Sequence, residues 1–162
     1  MNNFVYKKSW YKLFLGKWYI VIILEAGYKE LCENESESGY IKICGNLYFS
    51  SLCLPYPDST SLNEEELNCF CKGLELVSAQ IMDAMQNKPC LIQLRSIIFS
   101  DCNIQDDAFT ASAVQWASEV FKFSMPKINV WFDDTVEPCG VYKFDFADGW
   151  LPYNRNTFPE RK

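Results

Sequence analysis

The chain contains no histidine. Its absence removes the commonest general base near neutral pH, the Ser/His and Cys/His nucleophile pairs, and the commonest metal ligand. Chemistry on this sequence would have to run through carboxylates, Lys or Tyr, and a non-enzymatic role is the expectation. Gly-rich phosphate loops and Gly-x-Ser-x-Gly elbows are also missing. No Cys-x-x-Cys occurs; Cys69 and Cys71 lie two apart in a helical pattern and so point in different directions. Neither a metal nor a cofactor is expected. Long apolar runs are lacking too. The longest, Trp18 to Leu24 ("WYIVIIL"), is far too short to span a bilayer. Lysines precede it as they would in a secretion signal, but Lys12 and Lys17 interrupt the stretch and Glu25 stands where small residues should mark cleavage.

What is present fits one domain over residues 1–162, with 49% apolar and 16% aromatic residues, too rich for disorder. Net charge is −6 and the pI is about 4.7. Binding to phosphates relies on Lys and Arg, so no direct nucleic-acid ligand is expected, and an anionic membrane is disfavoured for the same reason. A basic protein is the partner that acidity permits. The eight cysteines (Cys32, Cys44, Cys53, Cys69, Cys71, Cys90, Cys102 and Cys139) are expected as reduced thiols in a cytoplasmic protein, acting mostly as small hydrophobes.

Trp18 to Leu24 suits a central strand covered on both faces. A polar connection, "YKELCENESESG", follows and ends at Gly39. Tyr40 to Cys44, the turn Gly45-Asn46 and "LYFSSLCL" form a hairpin, closed off by Pro55, Pro57 and Asp58. Ser61 with Glu64 reads as a capping box. From there Leu67, Phe70, Leu74, Val77, Ile81 and Met85 make one apolar stripe over five turns, ended by Lys88-Pro89. Cys90 to Phe99 is a strand. A second helix runs from about Gln105 to Phe121, capped by Asn103 or Asp106, with Phe109, Ala113, Trp116 and Val120 inward and small residues between. Ile128 to Phe132 and Val141 to Phe146 are strands close enough to pair antiparallel. The order predicts an α/β or α+β fold: a mixed sheet of about five strands with two main helices packed on it.

The segment from Trp131 to Trp150, "WFDDTVEPCGVYKFDFADGW", holds five carboxylates, six aromatics and one lysine. Strand alternation puts Ile128, Val130 and Phe132 on one face, and Tyr142, Phe144 and Phe146 on another; both are expected against the helices. The remaining face presents Trp131 among Asn129, Lys143 and Asp145. An aromatic anchor beside charge is interface chemistry. The candidate binding residues are therefore Trp131, Asp133, Asp134, Glu137, Asp145, Asp148 and Trp150. Asp133-Asp134 could hold a divalent cation, but adjacent aspartates at a hairpin entrance are ordinary turn chemistry, and no catalytic residue is assigned. Asp106-Asp107 suits a helix N-terminus, and Arg95 a salt bridge. Charge is uneven: residues 1–17 carry four lysines and no acid, while acids gather at 25–37, 58–66 and 133–148. A shared acidic face would steer a basic partner.

A small acidic chain, Cys- and aromatic-rich and without a catalytic motif, resembles bacterial immunity proteins of contact-dependent inhibition and other polymorphic toxin systems. The stretch "FSDCNIQDDAFTASAVQWASEVFKFSMPKINVWFDD" (Phe99 to Asp134) has their strand–helix–strand cast. The resemblance implies a protein that binds the toxic C-terminal domain of a delivered toxin, often a nuclease, with acidic groups imitating phosphates. No binding residue is carried over by position. The alternatives are a histidine-free, carboxylate-dependent hydrolase and a structural or adaptor subunit.

Overall fold

Burial alternates along the first strand of the sheet, with Ser9, Tyr11 and Leu13 inward and Trp10 and Lys12 outward. The computed structural model describes residues 3–33, 35, 39–51 and 59–146. Its strands are β1 (Val5–Leu13), β2 (Ile20–Glu30), β3 (Ile41–Cys44), β4 (Leu47–Ser51), β5 (Cys90–Phe99), β6 (Asn129–Asp133) and β7 (Val141–Asp145). The first five form one mixed sheet, ordered β1-β2-β5-β4-β3, in which only the β4–β5 pair is parallel; β6 and β7 pair antiparallel on their own. Among the described residues three helices stand where two were expected: α1 (Glu64–Leu76) and α2 (Ser78–Ala84) in place of the first, and α3 (Asp106–Phe121) as the second.

The parallel β4–β5 pair needs a crossover, which α1 and α2 supply, and α3 returns along the same face of the sheet. That face buries Tyr11, Ile22, Leu24, Phe49, Ile92 and Leu94 against Phe70, Leu74, Phe109 and Trp116. α1 and α3 approach closely at Gly73, where a Cβ would run into the Thr110 carbonyl and Ala113. The Thr110 hydroxyl donates to the Cys69 carbonyl at 2.8 Å across the same contact. The Trp116 indole N–H sits between the carbonyls of Lys7 and Ala26, at 3.1 and 3.2 Å, and so pins α3 over β1 and β2.

Several expectations are corrected. β2 is hydrogen-bonded along both edges, but it is covered on one face only: Ile20, Ile22 and Leu24 are buried while Val21 and Ile23 are part-exposed. The reason is that all the helices share one side of the sheet. β2 also runs on through Gly27 to Glu30, into the stretch read as a connection. The capping box is Asn63 with Glu66, not Ser61 with Glu64: the Asn63 side chain accepts from the Glu66 N–H at 2.8 Å and Glu66 accepts from the Asn63 N–H at 3.0 Å. Both pairs have the same spacing, and the chain starts its helix at the later one. The long stripe is two helices, interrupted at Val77, although Ile81 N–H still donates to the Val77 carbonyl at 3.0 Å. α2 ends at Ala84, before Gln86 and Asn87 turn left-handed. α3 has Gln105 at its N-cap instead of Asn103 or Asp106, with Asp106 and Asp107 in the first turn as the helix dipole favours.

Arg95 is the extra residue where the β2–β5 register shifts between Glu25 and Ala26. Its guanidinium pairs with Glu25 and stacks on the Tyr6 ring, 4.2 Å from the centroid. Beyond the end of β4, Ser59 takes over the edge of β5: its hydroxyl donates to the Ile97 carbonyl at 3.1 Å and accepts from the Ile97 N–H at 3.0 Å. The cysteines depart from expectation. Of the seven described, all free thiols, only Cys90 is buried and four are exposed. Burial pushes the Cys71 and Cys90 thiols up to about 12. Cys53, Pro55, Pro57 and Asp58 lie outside the described residues.

Candidate functional site

The β6–β7 hairpin carries the candidate residues. Its register sets Trp131 opposite Lys143 and Asn129 opposite Asp145, on the face turned from the core, as alternation requires. Trp131, Lys143 and Asp145 are all half-buried. Asp133 is engaged within the hairpin. One carboxylate oxygen accepts from the Thr135 N–H and hydroxyl, at 3.0 and 2.5 Å, and the other lies 3.1 Å from the Lys143 ammonium. The Thr135 hydroxyl first, and Lys143 second, hold the Asp133 carboxyl below the usual aspartate range. It is an ionised turn residue. Asp134 and Glu137 stand exposed in the connecting loop. Asp148 and Trp150 lie outside the described residues.

The opposite face of the hairpin is where expectation and structure part. Tyr142, Phe144 and Phe146 are buried, with Val130 and Phe132 partly so. Yet the anchoring contacts go to the β1–β2 turn as much as to a helix. The Tyr142 hydroxyl accepts from the N–H groups of Leu15 and Gly16, at 3.1 and 3.2 Å, and donates to the Trp18 carbonyl at 2.5 Å. Trp18 stacks edge-on to Tyr142 at 5.0 Å, and its indole donates to the Gly140 carbonyl at 3.2 Å. At the start of α3, the Gln105 amide bridges both backbone groups of Tyr142, at 2.8 and 2.7 Å. Gly140 is required where it stands: its φ is +80°, and a Cβ would strike the Phe132 ring. The hairpin is thus a rigid platform.

The acids nearer the N-terminus are largely neutralised in place. Glu25 pairs with Arg95, Glu30 with Lys88 at 3.6 Å, and Glu35 with Lys29 at 2.5 Å. Of the other acids in 25–37, Glu33 is exposed and Glu37 lies outside the described residues. Among the described residues, no group of three or more Cys, Asp or Glu side chains is placed to hold a metal ion. No described helix is long and apolar enough to cross a membrane.

A second region went unnoticed in the sequence. Trp10 (50% exposed), Phe14 (61%), Leu15 (57%), Tyr19 (52%) and Ile98 (43%) are all large and open to solvent. Register places Trp10, Ile23 and Ile98 in one row across β1, β2 and β5, on the face that no helix covers. The signal was present: Lys8, Trp10, Lys12 and Phe14 share a strand face opposite Ser9, Tyr11 and Leu13. Beside the turn, an apolar groove runs between Leu13 and Leu15 on one wall and Met125, Pro126, Ile128 and Val130 on the other, with Lys127 at its rim. No carboxylate lines it.

Comparison with protein-family models, with curated proteins and with solved structures finds no match to this chain.

Proposed function

We propose that this is a non-enzymatic binding protein, of the immunity-protein kind, that neutralises a basic toxic domain by gripping it with the β6–β7 hairpin. The observation that carries the reading is the hairpin's outer surface: half-buried Trp131 and the exposed carboxylates of Asp134 and Glu137 sit on a platform fixed by Tyr142 and Gln105. A rigid aromatic anchor loses little entropy on binding, and nearby carboxylates speed the approach of a cation-rich partner. Asp133 positions the loop and Asp145 borders Trp131's strand partner, so their part is to shape the surface.

The test has two stages. Proteins retained by the chain from its native host are identified by mass spectrometry, and the C-terminal domain of each is expressed alone and together with the chain. The expected result is a domain that arrests growth alone and is silenced by co-expression. Asp134→Asn with Glu137→Gln should then slow association and flatten its salt dependence, while Trp131→Ala should speed dissociation. A retained partner that is harmless, or whose toxicity co-expression leaves intact, removes the immunity reading. Wild-type kinetics in both variants would move the surface elsewhere.

A further inference from the structure

We propose that the outer face of β1 and β2, together with the turn between them, docks onto an anionic phospholipid surface. This inference is independent of the toxin-binding reading and uses the uncovered face of β1 and β2 with the apex of their turn, where Leu15 also walls the groove beside the hairpin. Three observations converge. The first is the apolar surface itself: Trp10, Phe14, Tyr19 and Ile98 on the uncovered face, with Leu15 at the apex, and Phe14 stacked on Tyr19 at 5.2 Å. Trp and Tyr flanking aliphatic side chains are the residues that settle at a membrane interface.

The second is charge. Lys8, Lys12 and Lys17 are exposed around this surface, and no acid occurs between Asn3 and Leu24. Lys7 turns inward to the Glu119 carbonyl at 3.4 Å. The other charged groups on this face of β2 and β5 are Glu25 and Arg95, paired with each other, and Lys29, paired with Glu35. The exposed acids nearest the turn in the fold are Asp134 and Glu137, in the hairpin loop between Phe132, which meets Gly16, and Gly140, which accepts from Trp18. Net charge spoke against an anionic membrane, but at physiological salt fields are screened within about 8 Å, so contact is governed by local charge. The cations around the apolar patch are lysines. Lysine is depleted at protein interfaces, where arginine is favoured, whereas basic residues of either kind are attracted to anionic headgroups.

The third is the apex backbone. A turn entering an apolar phase must have its polar groups satisfied internally. Here the Leu15 and Gly16 N–H groups and the Trp18 carbonyl are all bonded to the Tyr142 hydroxyl. The turn presents Phe14 and Leu15 without baring those three groups.

The test is flotation of the full chain with phosphatidylglycerol/phosphatidylcholine vesicles and with pure phosphatidylcholine vesicles, at low and high salt. The expected result is binding to the anionic vesicles, weakened by salt, and little to the neutral ones. Phe14→Ser with Leu15→Ser should lower partitioning at least about ten-fold, since each removes an apolar side chain from the contact. Lys12→Gln and Lys17→Gln should each lower it about five-fold. Ile41→Ser, an exposed apolar residue on the far strand β3, should change nothing. Melting curves check that every variant is folded. Failure to float with anionic vesicles at low salt overturns the proposal, as does unchanged flotation of the Phe14/Leu15 variant. A dimer by light scattering that the same variant converts to monomer would assign the face to a second copy of the chain, and overturns it too.

Discussion

Two regions of this molecule carry charge of opposite sign next to aromatic side chains, and they use it differently. In the β6–β7 hairpin, Asp133 and Lys143 are locked to each other and only Asp134 and Glu137 reach solvent freely. At the β1–β2 end, Lys8, Lys12 and Lys17 are exposed, and so are Trp10, Phe14 and Tyr19 beside them. The hairpin's aromatics mostly face inward, Tyr142 and Phe144 being buried. Density of acids and rings in a sequence therefore marks the better-packed region, and the sparser lysine-flanked stretch marks the open one. Composition reports what a segment contains; sheet parity and helix placement decide what it shows.

The sharpest way to probe that contrast is to cut one side chain on the helix-covered side of the sheet and one on its open face. Leu74, fully buried on α1 on the covered side of the sheet, should lose about 2–5 kcal/mol of stability on change to Ala. Trp10→Ser, on the uncovered face, should stay within about 0.5 kcal/mol. Urea denaturation of the two variants measures both. Comparable losses would mean that the open face is packed against something within the chain.

Next in size is the link between the regions. Tyr142→Phe removes the hydroxyl shared by Leu15, Gly16 and Trp18. It should cost about 1–3 kcal/mol and speed amide exchange at Leu15 and Gly16. Unchanged exchange there would show the turn to be rigid by itself. A smaller effect separates two candidate caps: Asn63→Ala should cost about 0.5–2 kcal/mol, and Ser61→Ala almost nothing. Equal losses would restore the earlier helix start.

The mildest test is electrostatic. Asp133 titrates below its ordinary value in the folded chain, so its contribution to stability is complete above the unfolded aspartate pKa of about 3.9 and is lost as pH falls through the lower folded value. The Asp133→Asn variant should show a shallower fall in stability with acid in that window. Lys143→Gln should move the Asp133 pKa upward, read by NMR titration. An Asp133 that titrates normally in the wild type would free it for the binding surface.

Much of the fold was legible where periodicity and punctuation agreed. Cys90 to Phe99 reads as a strand and is one, the Gly45-Asn46 turn joins β3 to β4, and Phe109, Ala113 and Trp116 point inward from α3. A mixed five-stranded sheet with two main helices packed on it was expected and is present, although its fifth strand is β1 and the β6–β7 hairpin, expected within it, pairs on its own. β1 was hidden because Lys7, Lys8 and Lys12 make it resemble a charged leader, and because an inward Ser9 beside an outward Trp10 breaks the polar–apolar alternation. The cap was misplaced because two pairs with identical spacing overlap, and local sequence does not rank them. Within the site, parity correctly separated Trp131 from Phe132. What the inner face would meet depended on residues more than a hundred positions away, around Gly16 and Trp18, and no local pattern encodes such a partner.

The distance in sequence between Tyr142 and the turn it holds has a consequence for the order of folding. β1 and β2 are neighbours in the chain and need only a short loop to meet, so their pairing is among the cheapest contacts to form early. The hydrogen bonds that shape residues 15–18 come from a side chain more than 120 positions later. A chain emerging from the ribosome therefore has the strands of its N-terminal hairpin long before it has the shape of their turn. Until the last strand arrives, Phe14 and Leu15 sit on a turn whose amides bond to water. The turn acquires its final form only when Tyr142 arrives, so its geometry certifies that the β6–β7 hairpin has docked.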